Sequence, residues 1–129
     1  MALNRDMPAR DAGFQNIQYL RKRITFSDTG PVTVGVIPAG GTILKPISGI
    51  QVEQAFDAGT NNNIDIGTTA VGDLYATDLS GATVTFAPLD EAVPLTVTAD
   101  TAITATVQLS GTPATEGVAT VIIGFLPAN

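Results

Sequence analysis

Residues 103–109 read ITATVQL, and this stretch is the clearest indication of the fold class because apolar and polar side chains alternate along its whole length. The alternation assigns an apolar face of Ile103, Ala105, Val107 and Leu109 and a polar face of Thr104, Thr106 and Gln108. A repeat of two residues is typical of a β-strand that turns one face to the core and the other to water. Residues 95–98 alternate in the same way, so the spacing predicts a hairpin with a turn at 99–101.

Similar patterns recur from Ile24 onward. The sequence predicts one strand with Val32, Val34 and Val36 on the same side, and another with Ile50 and Val52 opposite Gln51 and Glu53. Shorter strands are expected near residues 23–26, 43–44, 64–66, 74–76 and 83–86. Residues 118–126, VATVIIGFL, are nearly all apolar, which predicts a central strand with Ala119, Val121, Ile123 and Phe125 inward.

Turn-forming clusters of Gly with Pro, Asp or Ser separate these runs at residues 28–31, 38–41, 79–81 and 110–113. About eight to ten strands fit between them. That pattern predicts an all-β fold, an antiparallel two-sheet β-sandwich. A jelly roll is the preferred topology because connections as long as residues 55–63 favour crossings between sheets. The scarcity of large aromatic residues argues against a lipocalin-like barrel.

The charges are segregated along the chain. All six basic residues lie within the first 45 positions, whereas from Pro46 to Asn129 there are nine carboxylates and no basic residue. We therefore predict a cationic N-terminal arm, residues 1–22, attached to an acidic β-sandwich body, residues 23–129. An arm of this kind suits a negatively charged partner surface.

The arm contains few apolar residues and is not predicted to be a strand. Phe14, Ile17 and Leu20 are three apart, which would place them on one side of a short helix, although such a helix is too short to be stable alone. The alternative is a tail whose Phe14 and Leu20 pack on the body. The candidate binding residues of the arm are Arg5, Arg10, Phe14, Ile17, Tyr19, Leu20, Arg21, Lys22 and Arg23.

Composition excludes several functions. The chain has no His and no Cys, so Ser-His-Asp and Cys-His catalysis and thiolate metal sites are ruled out. A net charge of −6 argues against nucleic-acid binding by the body. The sequence shows no signal-peptide pattern and no apolar run long enough to span a bilayer. We therefore expect a soluble protein that is made in the cytoplasm, with no membrane partner and no cofactor.

Two groups of acidic residues are compatible with other functions, a glycosidase pair and a metal-binding loop. Asp90 and Glu91 would need a third carboxylate across a cleft to act as a glycosidase pair, and a solvated loop explains them better. Residues 57–65, DAGTNNNID, carry oxygen ligands at Asp57, Asn61, Asn63 and Asp65 but lack the glycine and terminal glutamate of an EF-hand loop. A polar loop explains this segment equally well.

The stretches ITFSDTGPVTVGVIPAGGTIL (24–44) and GIQVEQAFDAGTNNNIDIGTTAVGDLYA (49–76) resemble small virion proteins of tailed bacteriophages. The resemblance extends over roughly Ile24 to Leu126 and is to capsid cement, or decoration, proteins with a jelly-roll body. It implies a structural protein without enzymatic activity that binds the outside of an assembled capsid and clamps neighbouring major capsid subunits. The arm would then contact the shell, and the mature location would be the virion surface.

The resemblance also implies self-association as a dimer or trimer on a local symmetry axis. Threonine-rich faces, for instance Thr96, Thr98, Thr104 and Thr106, would be available for such a contact. The alternative function is a glycan- or partner-binding sandwich module of a phage tail or head fibre. With no Trp and two Tyr, Tyr19 and Tyr75, the aromatic platform usual in lectin-like sites is poorly represented.

Overall fold

The computed structural model describes residues 16–128, and within this range the chain forms nine β-strands and one short 3-10 helix, Lys45–Ile47. The number of strands agrees with the prediction from the turn clusters. The strands are β1 (Gln18–Thr25), β2 (Pro31–Ile37), β3 (Thr42–Ile43), β4 (Gly49–Gln54), β5 (Asn61–Thr68), β6 (Ala76–Ser80), β7 (Phe86–Pro88), β8 (Thr101–Ser110) and β9 (Val118–Leu126).

The strands form two antiparallel sheets. Sheet A has the order β1-β9-β4-β7, with the short β3 paired to β9 beyond the end of β4, and sheet B has the order β2-β8-β5-β6. The chain passes from sheet to sheet at most connections, and β5–β6 is a sequential antiparallel pair within one sheet. Sheet A thus has five strands and sheet B four, and without the short β3 the two layers of four strands have the strand order of a jelly roll. The predicted fold class, an antiparallel two-sheet β-sandwich, is confirmed.

The last strand, β9, lies in the middle of sheet A. It pairs with β1 on one side and with β4 and β3 on the other. The predicted inward residues Ala119, Val121, Ile123 and Phe125 are all buried. Full burial of a Val, Ile or Phe side chain stabilises the folded state by about 1.5–3 kcal/mol, so this strand makes a large contribution to the core.

The core lies between the sheets and is built mainly from isoleucine and valine. Its fully buried large side chains come from β1, β2, β3, β4, β5, β8 and β9, namely Ile24, Ile37, Ile43, Ile50, Val52, Ile64, Ile66, Ile103, Val121 and Ile123. They include the predicted inward residues Ile50 and Val52 of β4 and Ile103 of β8; Ala105 and Val107 are also buried, and Leu109 is partly buried against the core. Branched side chains pack well on a pleated sheet, which explains why a chain with few aromatic residues forms this core.

The N-terminal segment differs from the prediction. Residues 18–22 were expected outside the sheets, yet they form the first part of β1, which pairs with β9 in continuous register from Gln18↔Phe125 to Thr25↔Val118. The basic run obscured this strand because its charges interrupt the apolar alternation. An edge strand accepts charged residues, since it has a partner on one side only. Residues 1–15 of the predicted arm lie outside the described part of the chain.

Residues 95–98 do not form the predicted hairpin with β8. The N–H groups of Gly40 and Ile43 donate to the carbonyls of Val97 and Leu95 at 2.7 and 2.9 Å, so this segment follows the chain next to β3. The predicted turn residue Asp100 instead accepts a hydrogen bond from the N–H of Ala39 at 2.9 Å. Alternation correctly placed Val97 in the core, but it carries no information on which strand is the partner.

Two further predictions were wrong in detail. In β2 a register shift between Thr33 and Gly35 reverses the side-chain parity, so Val36 is 50% exposed and Ile37 is buried. A single extra residue in a strand has this effect because side chains alternate with a period of two. The strands predicted near 74–76 and 83–86 begin later, at Ala76 and Phe86.

Candidate interaction face

The structure separates the predicted binding residues into three groups. Arg5, Arg10 and Phe14 lie outside the described residues, and Ile17 immediately precedes β1 with 45% of its surface exposed. The others, Tyr19, Leu20, Arg21, Lys22 and Arg23, all belong to β1. The strand therefore holds them in fixed positions along the edge of sheet A.

Alternation along β1 sends these side chains to opposite faces. Leu20 points into the sandwich, where it packs on the core and meets β2; a Cβ added to Gly35 would lie 2.8 Å from its Cδ2 atom. Tyr19, by contrast, is 58% exposed, and Arg21 and Arg23 are exposed on the same outward parity. The prediction that Leu20 is available to a partner is not supported by this packing.

The outward residues of β1 continue into a surface that we call the sheet A face, formed by the outward side chains of β1, β9, β4 and β7 together with Ile47. The register places Arg21 beside Ile122, and aligns Thr120 with Gln51, which is itself opposite Phe86. An open groove of about 490 Å³ runs across this face, lined by Tyr19, Arg21, Gln51, Glu53, Thr120 and Ile122.

Gly124 and Ser48 determine the shape of one end of the sheet A face. Gly124 has no side chain, and Ile47 occupies the space above it: a Cβ at this position would lie 2.7 Å from Cδ1 of Ile47 and 3.2 Å from Cε1 of Tyr19. The buried Ser48 hydroxyl donates to the carbonyl of Leu44 at 2.7 Å and accepts from the N–H of Gly124 at 3.0 Å. The 3-10 helix is thereby attached to β9, which keeps Ile47 beside Tyr19.

Sequence reasoning missed Ile47, Phe86 and Ile122 as members of this face. Ile47 is 38% and Phe86 36% exposed, and Ile122 is half-buried in the groove. Their positions in the sequence are far from the basic run, so charge patterning gave no signal for them. The one available signal was Gly124, which interrupts the apolar run of β9 and indicated that something approaches the strand at that point.

The two aspartates of the predicted polar loop are separated by the fold. Asp57 caps the connection before β9: it accepts hydrogen bonds from the Thr115 hydroxyl at 2.6 Å and from the N–H groups of Thr115 and Glu116 at 2.7 and 3.0 Å. The Thr115 hydroxyl and these two N–H groups lower the pKa of the Asp57 carboxyl. Hydrogen bonds to the ionised form have this effect because they stabilise the charge.

Asp65 lies in β5 on the outward side of sheet B and is buried. Its Oδ1 atom accepts a hydrogen bond from the N–H of Asp78 at 2.7 Å. Burial raises the pKa of Asp65; the hydrogen bond from Asp78 opposes this rise, and the nearby negative charges of Asp78, Asp73 and Asp90 add to it. Asp57 and Asp65 therefore accept hydrogen bonds from different backbone segments and are not arranged around a shared ion.

The remaining acidic candidates also contact the backbone. Asp90 accepts from the N–H of Thr77 at 3.1 Å, and the backbone of Glu91 joins Tyr75 and the Lys45 ammonium. Within residues 16–128 no three acidic side chains are grouped as a metal site would require. No helix in the same range has the length and hydropathy to cross a bilayer.

A second open concavity, of about 520 Å³, lies beside the β5–β6 connection. Five of its eleven lining residues are threonines, and Asp100 and Tyr75 are among the others. Tyr75 is only 4% exposed, and burial raises its pKa. Its ring therefore belongs to the core and is not presented as an aromatic platform. Of the predicted threonine faces, Thr104 is buried as well, and its hydroxyl donates to the carbonyl of Thr68 at 3.3 Å.

Comparison with solved structures identifies two chains of the same fold in phage capsids. One belongs to the cyanophage Pam1 capsid asymmetric unit, with a TM-score of 0.66, 20% sequence identity, and coverage of 87% of this chain and 85% of that chain. The other belongs to the acidic stable capsid structure of Helicobacter pylori bacteriophage KHP30, with a TM-score of 0.61, 15% identity, and coverage of 87% and 89%.

The resemblance to phage capsid-associated proteins is therefore confirmed at the level of the fold. Both matches cover most of this chain and most of the other chain, so the similarity extends over the whole sandwich. No protein-family model matches the chain, and no curated protein matches it in sequence.

Proposed function

We propose that this chain is a structural virion protein that binds the outside of a phage capsid and stabilises it by clamping neighbouring major capsid subunits. The observation that carries the proposal is the jelly roll shared over 87% of the chain with chains of two phage capsids. Because one fold hosts many functions, the surface of this particular chain has to support the proposal independently.

The surface is suited to attachment. Arg21, Lys22 and Arg23 are exposed next to one another on an edge strand, and Arg5 and Arg10 precede them in the sequence. Cations grouped in this way steer a protein towards an acidic surface. Ile17 and Tyr19 supply exposed apolar surface beside these charges. Many copies on one shell convert modest affinity at each site into strong clamping.

The same proposal includes the absence of catalysis, synthesis in the host cytoplasm and a final position on the virion surface. The sequence has neither His nor Cys, and the carboxylates of Asp57, Asp65 and Asp90 accept hydrogen bonds from backbone N–H groups. We also propose self-association as a dimer or trimer on a local symmetry axis of the shell, since closed symmetric assemblies reuse one contact several times.

Co-sedimentation with shells assembled without this protein tests the function. The full chain is compared with a variant that starts at Asn16, which removes Arg5 and Arg10 but leaves β1 intact. We expect the full chain to sediment with shells and not with unassembled subunits, with binding that weakens as salt rises from about 0.05 to 0.5 M.

The shortened variant loses Asp6 and Asp11 together with Arg5 and Arg10, so its net side-chain charge is unchanged. Its binding should keep most of its dependence on salt, which Arg21, Lys22 and Arg23 supply, and weaker binding at every salt concentration would show that the removed segment adds contacts. Equal thermal unfolding of the two forms is the control for folding. If the full chain fails to sediment with shells at low salt, the cement function is wrong. A glycan screen would then examine the alternative of a tail or fibre module.

A further inference from the structure

We propose that the sheet A face, and not the opposite face of the sandwich, docks on the shell, and that its partner is an acidic protein surface with an apolar side chain that enters the groove. This inference rests on the proposed function, because the shell is taken as the partner. It adds Ile47, Phe86 and Ile122 to the binding residues, and it specifies which side of the molecule faces the shell.

The first support is the concentration of apolar surface on this face. Tyr19 is 58%, Ile47 38% and Phe86 36% exposed. They come from three separated segments, yet β1, the 3-10 helix and β7 bring them onto one side of one sheet. Ile122 provides an apolar floor between them. Aromatic side chains that surround a pocket are the usual energetic centre of a protein interface.

The second support is charge. Arg21 lines the groove on the β1 side, and Arg23, two residues further along the strand, is exposed on the same outward parity. The carboxylate of Glu53 on this face accepts a hydrogen bond from the Thr120 hydroxyl. On the opposite side of the sandwich, Asp65 lies close to the charges of Asp73, Asp78 and Asp90. An acidic partner is therefore attracted by the sheet A face and repelled by the other face.

The test uses pairs of variants in the full-length chain that are matched for exposure, and the first pair is also matched for the change in charge. Tyr19→Asp on the sheet A face is paired with Val36→Asp, which replaces a side chain that is 50% exposed on the outward side of sheet B. Arg21→Glu is paired with Gln108→Glu in β8, where Gln108 is exposed. Binding to assembled shells is measured by co-sedimentation, and folding by thermal unfolding.

We expect Tyr19→Asp and Arg21→Glu to weaken shell binding by roughly tenfold or more, and Val36→Asp and Gln108→Glu to change it by less than about threefold. The Arg21→Glu effect should shrink at high salt, whereas the Tyr19→Asp effect should persist, because screening acts on charge and not on apolar contact.

Three results would overturn the inference. If Val36→Asp or Gln108→Glu abolishes binding while the sheet A variants retain it, the orientation is reversed but the cement function stands. If Tyr19→Asp alters the oligomeric state in analytical ultracentrifugation and leaves shell binding unchanged, a second copy occupies the face. If all four variants bind like the unmodified chain, neither face docks. Failure of the unmodified chain to bind would instead refute the proposed function.

Discussion

The outward faces of the two sheets differ, although both sheets have similar strands and share one core. On sheet B the chain covers the part of the face around β5, while Val36 on β2 stays exposed. A Cβ on Gly67 would strike the backbone of Val71 and Gly72, Thr104 is buried, and the Asp65 carboxylate accepts a hydrogen bond from the N–H of Asp78. On sheet A the groove between Tyr19 and Gln51 stays open.

This difference shows two ways in which the outward face of a sheet is covered: by the chain's own loops, or by a partner protein. Sheet B uses a loop, residues 69–74, and aspartates that accept backbone N–H groups. Sheet A leaves large apolar side chains and arginines exposed. Exposed apolar surface bordered by charge is typical of an interaction site, which is why we assign the shell contact to sheet A.

The largest loss of stability is expected on the inside of sheet A, and two adjacent residues of β9 allow the inside and outside to be compared. Ile123→Ala removes a side chain with 0% exposure and should cost about 2–5 kcal/mol in the free energy of unfolding. Ile122→Ala, on the open face, should cost less than about 1.5 kcal/mol. Denaturant unfolding of both variants measures the difference. Equal losses would mean that the sheet A face is covered in the free protein.

The next largest loss of stability is expected from removing a carboxylate, and one carboxylate on each face allows a comparison. Asp65→Ala leaves the N–H of Asp78 without its acceptor beneath the sheet B loop, and should cost about 1–3 kcal/mol. Glu53→Ala, on the open sheet A face, should cost less than about 1 kcal/mol because water reaches the Thr120 hydroxyl once the exposed Glu53 side chain is removed. A larger loss for Glu53→Ala, measured by denaturant unfolding, would contradict the contrast between the two faces.

A smaller effect of opposite sign is expected for Asp65→Asn, which keeps the acceptor oxygen and removes the charge. Burial raises the folded-state pKa of Asp65, so the ionised form destabilises the native state at neutral pH. This penalty declines as pH falls below that pKa and is gone below the unfolded-state value. The Asn variant should therefore unfold at a higher temperature than the unmodified chain at pH 7. Its advantage should decrease on acidification; an advantage that grows at low pH would contradict the assignment.

The smallest effect on stability is expected at Asp57, where the ionised carboxyl stabilises the native state, unlike that of Asp65. The Thr115 hydroxyl and two N–H groups lower the pKa of this carboxyl, so the ionised form stabilises the native state at neutral pH. That contribution is complete above the unfolded-state value and is lost as pH falls through the lowered folded-state pKa. Asp57→Asn should slightly lower the unfolding temperature at pH 7. The two proteins should converge in strong acid, which a pH series of thermal unfolding would show.

Several elements could be predicted from residues alone. The alternation in 103–109 and the apolar run in 118–126 predicted β8, β9 and their inward residues because a period of two in hydrophobicity reports directly on which side chains are buried. The end of β1 was predicted as a short strand near residues 23–26, but its first part, residues 18–22, was missed because the basic residues there interrupt that period. On an edge strand these long side chains keep their charges in water while the backbone pairs with β9.

The candidate site was predicted only in part. Tyr19, Arg21 and Arg23 were identified from the charge segregation, and each is exposed on the sheet A face. Leu20 packs towards Gly35, which agrees with the alternative that it packs on the body and not with a role in binding a partner. The parity of Val36 was wrong, because the register shift in β2 follows from pairing with β8 and leaves no pattern in the strand itself.

The linear order of residues was enough to establish the all-β class, the inward residues of most strands, the lack of His and Cys chemistry, and the separation of positive from negative charge. These are properties of composition and of short periods, which need no knowledge of distant partners. Tertiary structure decided the partner of residues 95–98, the place of β1 beside β9, and the meeting of Tyr19, Ile47 and Phe86 on one face. Strand pairing joins segments that are far apart in the chain, so a surface assembled by pairing is defined only once the sheets have formed.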